Sequence, residues 1–371
     1  MVKIHNKSDK PDNIVAKQHH IIDKCIEIET ALPHFMKDYF IYLKNAVSLS
    51  TRLAYLEDIE FFLKYLINND ESYIHLNNLS EITIEQFSKL KARDINYFIG
   101  EYCTRYLKSI NGNDYLFKND NRSLARKKSS LSSLFKYMYR NNQLENNITD
   151  GFNPIKLPKP QPDAIKKLAV DEVAIMLDIV STGEGLTDKE KIYWEKTKLR
   201  DKAILLFFVT YGLRLSEIQQ LNLSSFNYGR DEFKIYRKRS KEALMPLNST
   251  IKKALDDYIS CERPNSDLLD ENNEDALFLS IQNKRLTMKA IRELVKKYTS
   301  LAMGTTRDKG YSPHKLRATA ASSLIDYGFS IYDVKTLLDH ENITTTQLYS
   351  AQRKNLKRDI IKNFEWNDEK K

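Results

Sequence analysis

The stretch Tyr311-Ser312-Pro313-His314-Lys315-Leu316-Arg317 joins an N-cap serine, a proline suited to the first helical turn, and two side chains able to bind anions. A helix starting there turns unbonded amides outward at a positively polarised end, where phosphate binds readily. His314 and Arg317 share one face of that helix, so an imidazole and a guanidinium can reach the same anion. Upstream, Arg214 falls in the corner between an apolar helix ending at Tyr211-Gly212 and a second helix starting at Leu215-Ser216-Glu217. A guanidinium held in that corner presents two donors, and Glu217 is spaced to orient it by an ion pair. Farther on, Gly328 closes one helix and Ser330 caps the next, which runs through Leu337-Leu338 to Asp339-His340; Tyr349 follows. Taken singly, His314 and Arg317 read as a solvated surface pair, Arg214 and Glu217 as a structural pair at a helix junction, and Tyr349 as one tyrosine among 21.

Those positions need a scaffold, and a chain of 371 residues is long enough for two domains. Residues 1–20 are polar and unpatterned and read as a tail, whereas 21–152 carry helical periodicity, beginning with a stretch over 21–43. Ser50-Thr51 then stands as an N-cap before Tyr55, Ile59, Phe62, Leu63 and Leu66, and the spacing predicts further helices over 83–103 and 123–140. From Asn153 through Pro154, Pro158, Pro160 and Pro162 the chain can be neither helix nor central strand, because each proline lacks an amide donor and restricts the residue before it. Residues 153–165 therefore read as a linker, and 166–371 as a second domain with a C-terminal helix. Within it, helices are predicted over 170–179, 202–210, 249–259, 289–298, 313–327 and 331–338, two paired strands at 232–238 and 243–247, and a third strand at 276–280. The expected fold class is mainly α with a small antiparallel sheet, in the α+β sense, and the scarcity of glycine, ten residues, agrees with that.

Lys and Arg total 59 against 50 Asp and Glu, and the net charge of +9 suits a polyanionic partner. The charge gathers on one predicted helix, where Arg122, Arg126, Lys127, Lys128, Lys136 and Arg140 occur with no acidic residue between them. The three cysteines, Cys25, Cys103 and Cys261, lie far apart without metal-ligand spacing and read as buried free thiols in a reducing compartment. No apolar run is long enough to cross a bilayer and the first residues are polar, so the expected location is the cytoplasm.

Read in order, Tyr211-Gly212-Leu213-Arg214-Leu215-Ser216-Glu217, a basic turn, His-x-x-Arg, Leu-Leu-x-His and a final tyrosine resemble the tyrosine recombinase, or phage integrase, family, Xer-like in its compact form. The motifs span about 168–355, and the helical first half is similar to the family's core-binding domain. The resemblance implies that Arg214, His314, Arg317, His340 and Tyr349 are the catalytic Arg, His, Arg, His and nucleophilic Tyr, with Glu217 supporting Arg214. Aligning Ile235-Tyr236-Arg237-Lys238-Arg239-Ser240-Lys241 with the family's hairpin turn puts its catalytic lysine at Lys238, with Lys241 the alternative. Three departures stand out: Arg237 and Arg239 where glycines commonly flank the lysine, Ala318 where histidine is frequent, and Asp339 in place of a common glycine.

The activity so implied is cleavage and rejoining of duplex DNA at specific sites through a 3′-phosphotyrosine, with neither metal nor nucleotide cofactor. The expected partners are double-stranded DNA and three further copies of the chain, a homotetramer on two duplexes. The helical domain would clamp the DNA with the catalytic one, using Thr51, Arg52, Arg122, Arg126 and Lys127. Leu356, Ile360, Ile361 and Phe364 give the chain's end an apolar helical face that docks either on a neighbouring subunit or on its own domain. A topoisomerase IB-like or telomere-resolving enzyme would use the same chemistry, and a DNA-binding regulator with a dead site is the reading of another class. Chromosome resolution and mobile-element integration both remain compatible with these residues, as does any target sequence.

Overall fold

A computed structural model describes residues 10–158, 166–237, 241–271 and 273–339, in two compact units, Met1–Lys159 and Pro160–Lys371. The first unit holds helices α1 (Asp12–Ala31), α2 (Lys37–Ala46), α3 (Leu49–Asn69), α4 (Ile84–Ser88), α5 (Ala92–Tyr97) and α6 (Asn121–Arg140), with strands β1 (Arg105–Ile110) and β2 (Asn113–Lys118) before α6. α1 starts just behind Pro11, inside the segment read as a tail, and turns Ile14 and Cys25 inward. The 21–43 periodicity breaks where Leu32 turns extended ahead of Pro33. Ser48, not Ser50, caps α3 by accepting the Thr51 amide at 3.3 Å, and the helix buries Leu56, Ile59, Phe62, Leu63 and Leu66.

The single helix expected over 83–103 is instead α4, α5 and a π-helical turn, Phe98–Tyr102. Two start signals sit inside one apolar period: Thr83 and Gln86 cap each other reciprocally, and the Lys91 amide then donates to Asp94 at 2.8 Å. The β1–β2 hairpin was not expected either. Asn111-Gly112 turns it with φ of 50° and 79°, the left-handed pair of a type I′ turn, and Tyr106 anchors its base 4.9 Å from Phe61 of α3.

The second unit runs α7 (Val170–Thr182), α8 (Asp188–Trp194), α9 (Lys198–Tyr211), α10 (Leu215–Gln219), β3 (Phe226–Asn227), β4 (Glu232–Tyr236), β5 (Glu242–Pro246), α11 (Ser249–Cys261), α12 (Met288–Ala302), α13 (Pro313–Asp326) and α14 (Ile331–Leu338). α9 is apolar on every side from Ala203 to Phe208 and is accordingly the buried central helix, enclosed by α7, α11 and α13. The antiparallel sheet has the order β3-β4-β5 and turns Phe233 and Ile235 into the core. Its third strand is β3; the 276–280 segment is mostly buried and among the described residues forms isolated bridges, Asn222 with Ala276 and Leu279 with Arg285, rather than a strand. α13 opens on Pro313, and Ala318, Ala321 and Ile325 pack with Val334 and Leu338 of α14 in a small core of their own. Cys25 and Cys103 are buried as expected, but Cys261, at the end of α11, is exposed. Among the described residues no helix is long and apolar enough to cross a membrane.

Candidate active site

The site assembles around the end of α9. Gly212 takes a left-handed φ of 59°, and a Cβ there would lie 2.7 Å from Leu338 Cδ2 and 3.3 Å from Ala320 Cβ, so both backbone angle and space demand glycine. α13 and α14 thereby close directly onto the turn that carries Arg214. Arg214 is the N-cap of α10; its amide donates to Glu217 Oε2 at 2.7 Å and its Nη1 to Glu217 Oε1 at 2.8 Å. Glu217 is 2% exposed, a carboxylate that can stay buried only because it is paired and hydrogen-bonded.

Three guanidiniums from three elements converge on the carboxyl end of α14. Arg214 Nη2 donates to the Asp339 carbonyl at 3.0 Å, Arg317 Nη2 to the Leu338 carbonyl at 2.5 Å, and Arg237 Nη2 to the Leu337 carbonyl at 2.7 Å. These are carbonyls for which the helix itself has no amides, at the negative end of its dipole. Arg317, on α13 and buried, also donates to the Gly212 carbonyl at 2.6 Å. Asp339 ends α14 in a left-handed conformation, φ 52° and ψ 53°, with its carboxylate 3.5 Å from Lys241 Nζ and 3.8 Å from Arg237 Nη1.

His314 stands in the first turn of α13. Solvent reaches its ring, yet the packing around it, and next the charges of Arg317, Lys315 and Arg214, push its pKa below the ordinary imidazole value. The ring is therefore neutral near pH 7, able to take a proton.

The structure thus brings Arg214, Glu217, His314 and Arg317 together, whereas Lys238, His340, Tyr349 and the apolar face from Leu356 to Phe364 lie outside the described residues. Asp339 precedes His340 directly, and Arg237 precedes Lys238. Arg237 was named only as a departure; its burial and its bond to Leu337 show what the sequence pattern did not. Among the described residues no three His, Cys, Asp or Glu side chains group to hold a metal ion.

In the first unit the basic run of α6 is not one solvent face. Lys127 turns inward, donating to the buried Asp58 of α3 at 3.1 Å, and Arg126 bonds the same carboxylate from a more exposed position. Arg52 is likewise buried and donates to Glu29 at 2.6 Å, while Thr51 bonds Ser48 at 2.8 Å. Arg122, Lys136 and Arg140 are exposed.

The phage integrase family profile matches residues 167–355. Tyrosine recombinase XerC of Natranaerobius thermophilus is 30% identical over 285 residues, covering 76% of this chain and 86% of its own. Tyrosine recombinase XerC of Syntrophus aciditrophicus is 26% identical over 317 residues, 85% of this chain and 91% of its own. The crystal structure of XerH site-specific recombinase bound to palindromic difH substrate, a post-cleavage complex, shares the fold, with a TM-score of 0.60 at 17% identity over 97% of this chain and 92% of that one. With a profile spanning half the chain and relatives spanning most of it, the chain belongs to the phage integrase family and is a Xer-like tyrosine recombinase.

Proposed function

We infer that this protein is a site-specific recombinase that breaks and rejoins duplex DNA through a 3′-phosphotyrosine, and we propose Tyr349 as the nucleophile. The observation that supports the residue roles most is the convergence of Arg214 and Arg317, from distant parts of the sequence, on the helix end from which His340 follows, with His314 in the helical turn just before Arg317. A phosphodiester repels nucleophiles, so its cleavage needs fixed cations on the oxygens that gain charge in the transition state. Arg214 and Arg317 fill that role, each planar fork able to hold two oxygens, with Glu217 keeping Arg214 aligned.

In this reading the Tyr349 oxygen attacks phosphorus, and a P–O bond forms as the bond to the 5′-oxygen breaks. A phenol with a pKa of about 10 is ionised in only about one molecule per thousand at neutral pH, and His314 takes its proton. Lys238, or alternatively Lys241, protonates the departing 5′-oxygen, and His340 donates a hydrogen bond to the phosphate. The phosphotyrosine conserves the energy of the broken bond, so a second 5′-hydroxyl attacks it, releases tyrosine and reseals the strand without ATP.

Wild-type protein is expected to form a detergent-resistant adduct with site-bearing duplex DNA in excess chelator, and Tyr349→Phe to form none; an adduct persisting in Tyr349→Phe would refute the assignment. The proposed assembly is a homotetramer on two duplexes, held by the apolar face from Leu356 to Phe364 docking on a neighbouring subunit. Removing residues from about 354 onward should then abolish synapsis of two duplexes in a gel-shift assay, and unchanged synapsis would leave that face to pack on its own domain.

A further inference from the structure

We propose that Arg237 is a positioning residue for strand cleavage: it ties the end of β4 to the carboxyl end of α14, with the Asp339 carboxylate as its counter-charge. Arg237 is 9% exposed, and its Nε is buried without a hydrogen-bond partner among the described residues. Burying a guanidinium is costly, and an apolar side chain packed against Met245 would fill the same space without that penalty. Stability therefore does not explain its presence; its connections do. Its amide donates to the Lys241 carbonyl at 2.8 Å, just beyond the Tyr236–Glu242 pair of the β4–β5 ladder, and its Nη2 donates to the carbonyl of Leu337, 100 positions away in sequence, at 2.7 Å.

The two segments so joined both bear on the chemistry. Lys238 is the next residue after Arg237, and the neighbouring carbonyls of Leu338 and Asp339 are those that Arg317 and Arg214 hold. Asp339 completes the link, its carboxylate 3.8 Å from Arg237 and 3.5 Å from Lys241. Its left-handed backbone, φ 52°, is one that non-glycine residues adopt at a cost and that aspartate tolerates better than most. That conformation persists where surrounding bonds enforce it, as the guanidiniums on successive carbonyls do here.

The proposal rests on the reading that Lys238 protonates the 5′-oxygen, and the test separates the two. Single-turnover adduct formation at saturating DNA is measured on a natural duplex and on one with sulfur in the 5′-bridging position, since a thiolate leaves without a proton. Arg237→Ala should slow the natural substrate by about a hundredfold, the scale of lost general-acid catalysis, with DNA affinity unchanged, and should cleave the sulfur substrate at the wild-type rate. Arg237→Lys should recover part of the loss. Equal slowing on both substrates, or no slowing on the natural one, would overturn the proposal. Lys238→Ala is run alongside: if sulfur fails to restore it, the general-acid reading falls, whatever Arg237 does. Should Arg237→Ala not fold, Arg237→Lys and Asp339→Asn carry the test, each with a smaller loss confined to the natural substrate; a loss shared by both substrates overturns the proposal.

Discussion

Arg214 and Arg317 grip the end of α14 from two directions, each with a planar fork whose geometry a lysine ammonium cannot copy. Arg214→Lys and Arg317→Lys are accordingly expected to slow single-turnover cleavage by about a hundredfold or more, the usual loss of one preorganised donor. In the proposed role His314 acts while neutral, and its depressed pKa keeps it neutral to lower pH than an ordinary histidine. The acid limb of kcat/KM should therefore fall below about pH 6.5. Lys315→Ala removes one of the smaller depressing charges, so it should move that limb toward higher pH, while an acid limb lying above the ordinary histidine range would exclude His314 as the base. The pairing of Arg214 with Glu217 and the place of His314 one turn before Arg317 were legible in the sequence, because each pair stands within one helical turn, whereas their roles came only from the resemblance of the ordered motifs. Arg52 and Lys127 were not legible as interior groups, because Glu29 and Asp58, which neutralise them, lie on other helices. No local pattern announces such a partner.

At the scale of elements, the start of α14 was readable, since Ser330 caps it and Asp333 completes the capping box. The β1–β2 hairpin was missed although Asn111-Gly112 marks its turn, because Arg105 to Lys118 alternates poorly and most of its side chains face solvent. Packing of Tyr106 on Phe61 decides that segment, and a contact across the chain is invisible to local periodicity. The junction of α9, α13 and α14 has the least slack. Gly212→Ala combines a left-handed angle with a collision against Leu338, and should cost about 1–3 kcal/mol of unfolding free energy in urea titration. In the first unit, Asp58→Ala leaves Lys127 buried without its carboxylate and should cost about 3–5 kcal/mol by the same measurement, whereas a surface pair would cost far less.

For the whole molecule, the excess of +9 is a property of the chain, but only charges that solvent reaches can exchange counterions with DNA. Replacing Arg122 and Arg140 by alanine should flatten the salt dependence of DNA binding by about 0.9 per lost phosphate contact. Lys127→Ala should instead lower stability and leave the slope unchanged. Every step of the proposed chemistry meets at the phosphorus atom and the oxygen that attacks it. The most direct measurement is mass spectrometry of the trapped protein–DNA adduct after nuclease and protease digestion. A nucleotide remnant joined through a 3′-phosphate to the peptide bearing Tyr349 is the predicted result; a remnant on any other residue, or one attached through a 5′-phosphate, would contradict it.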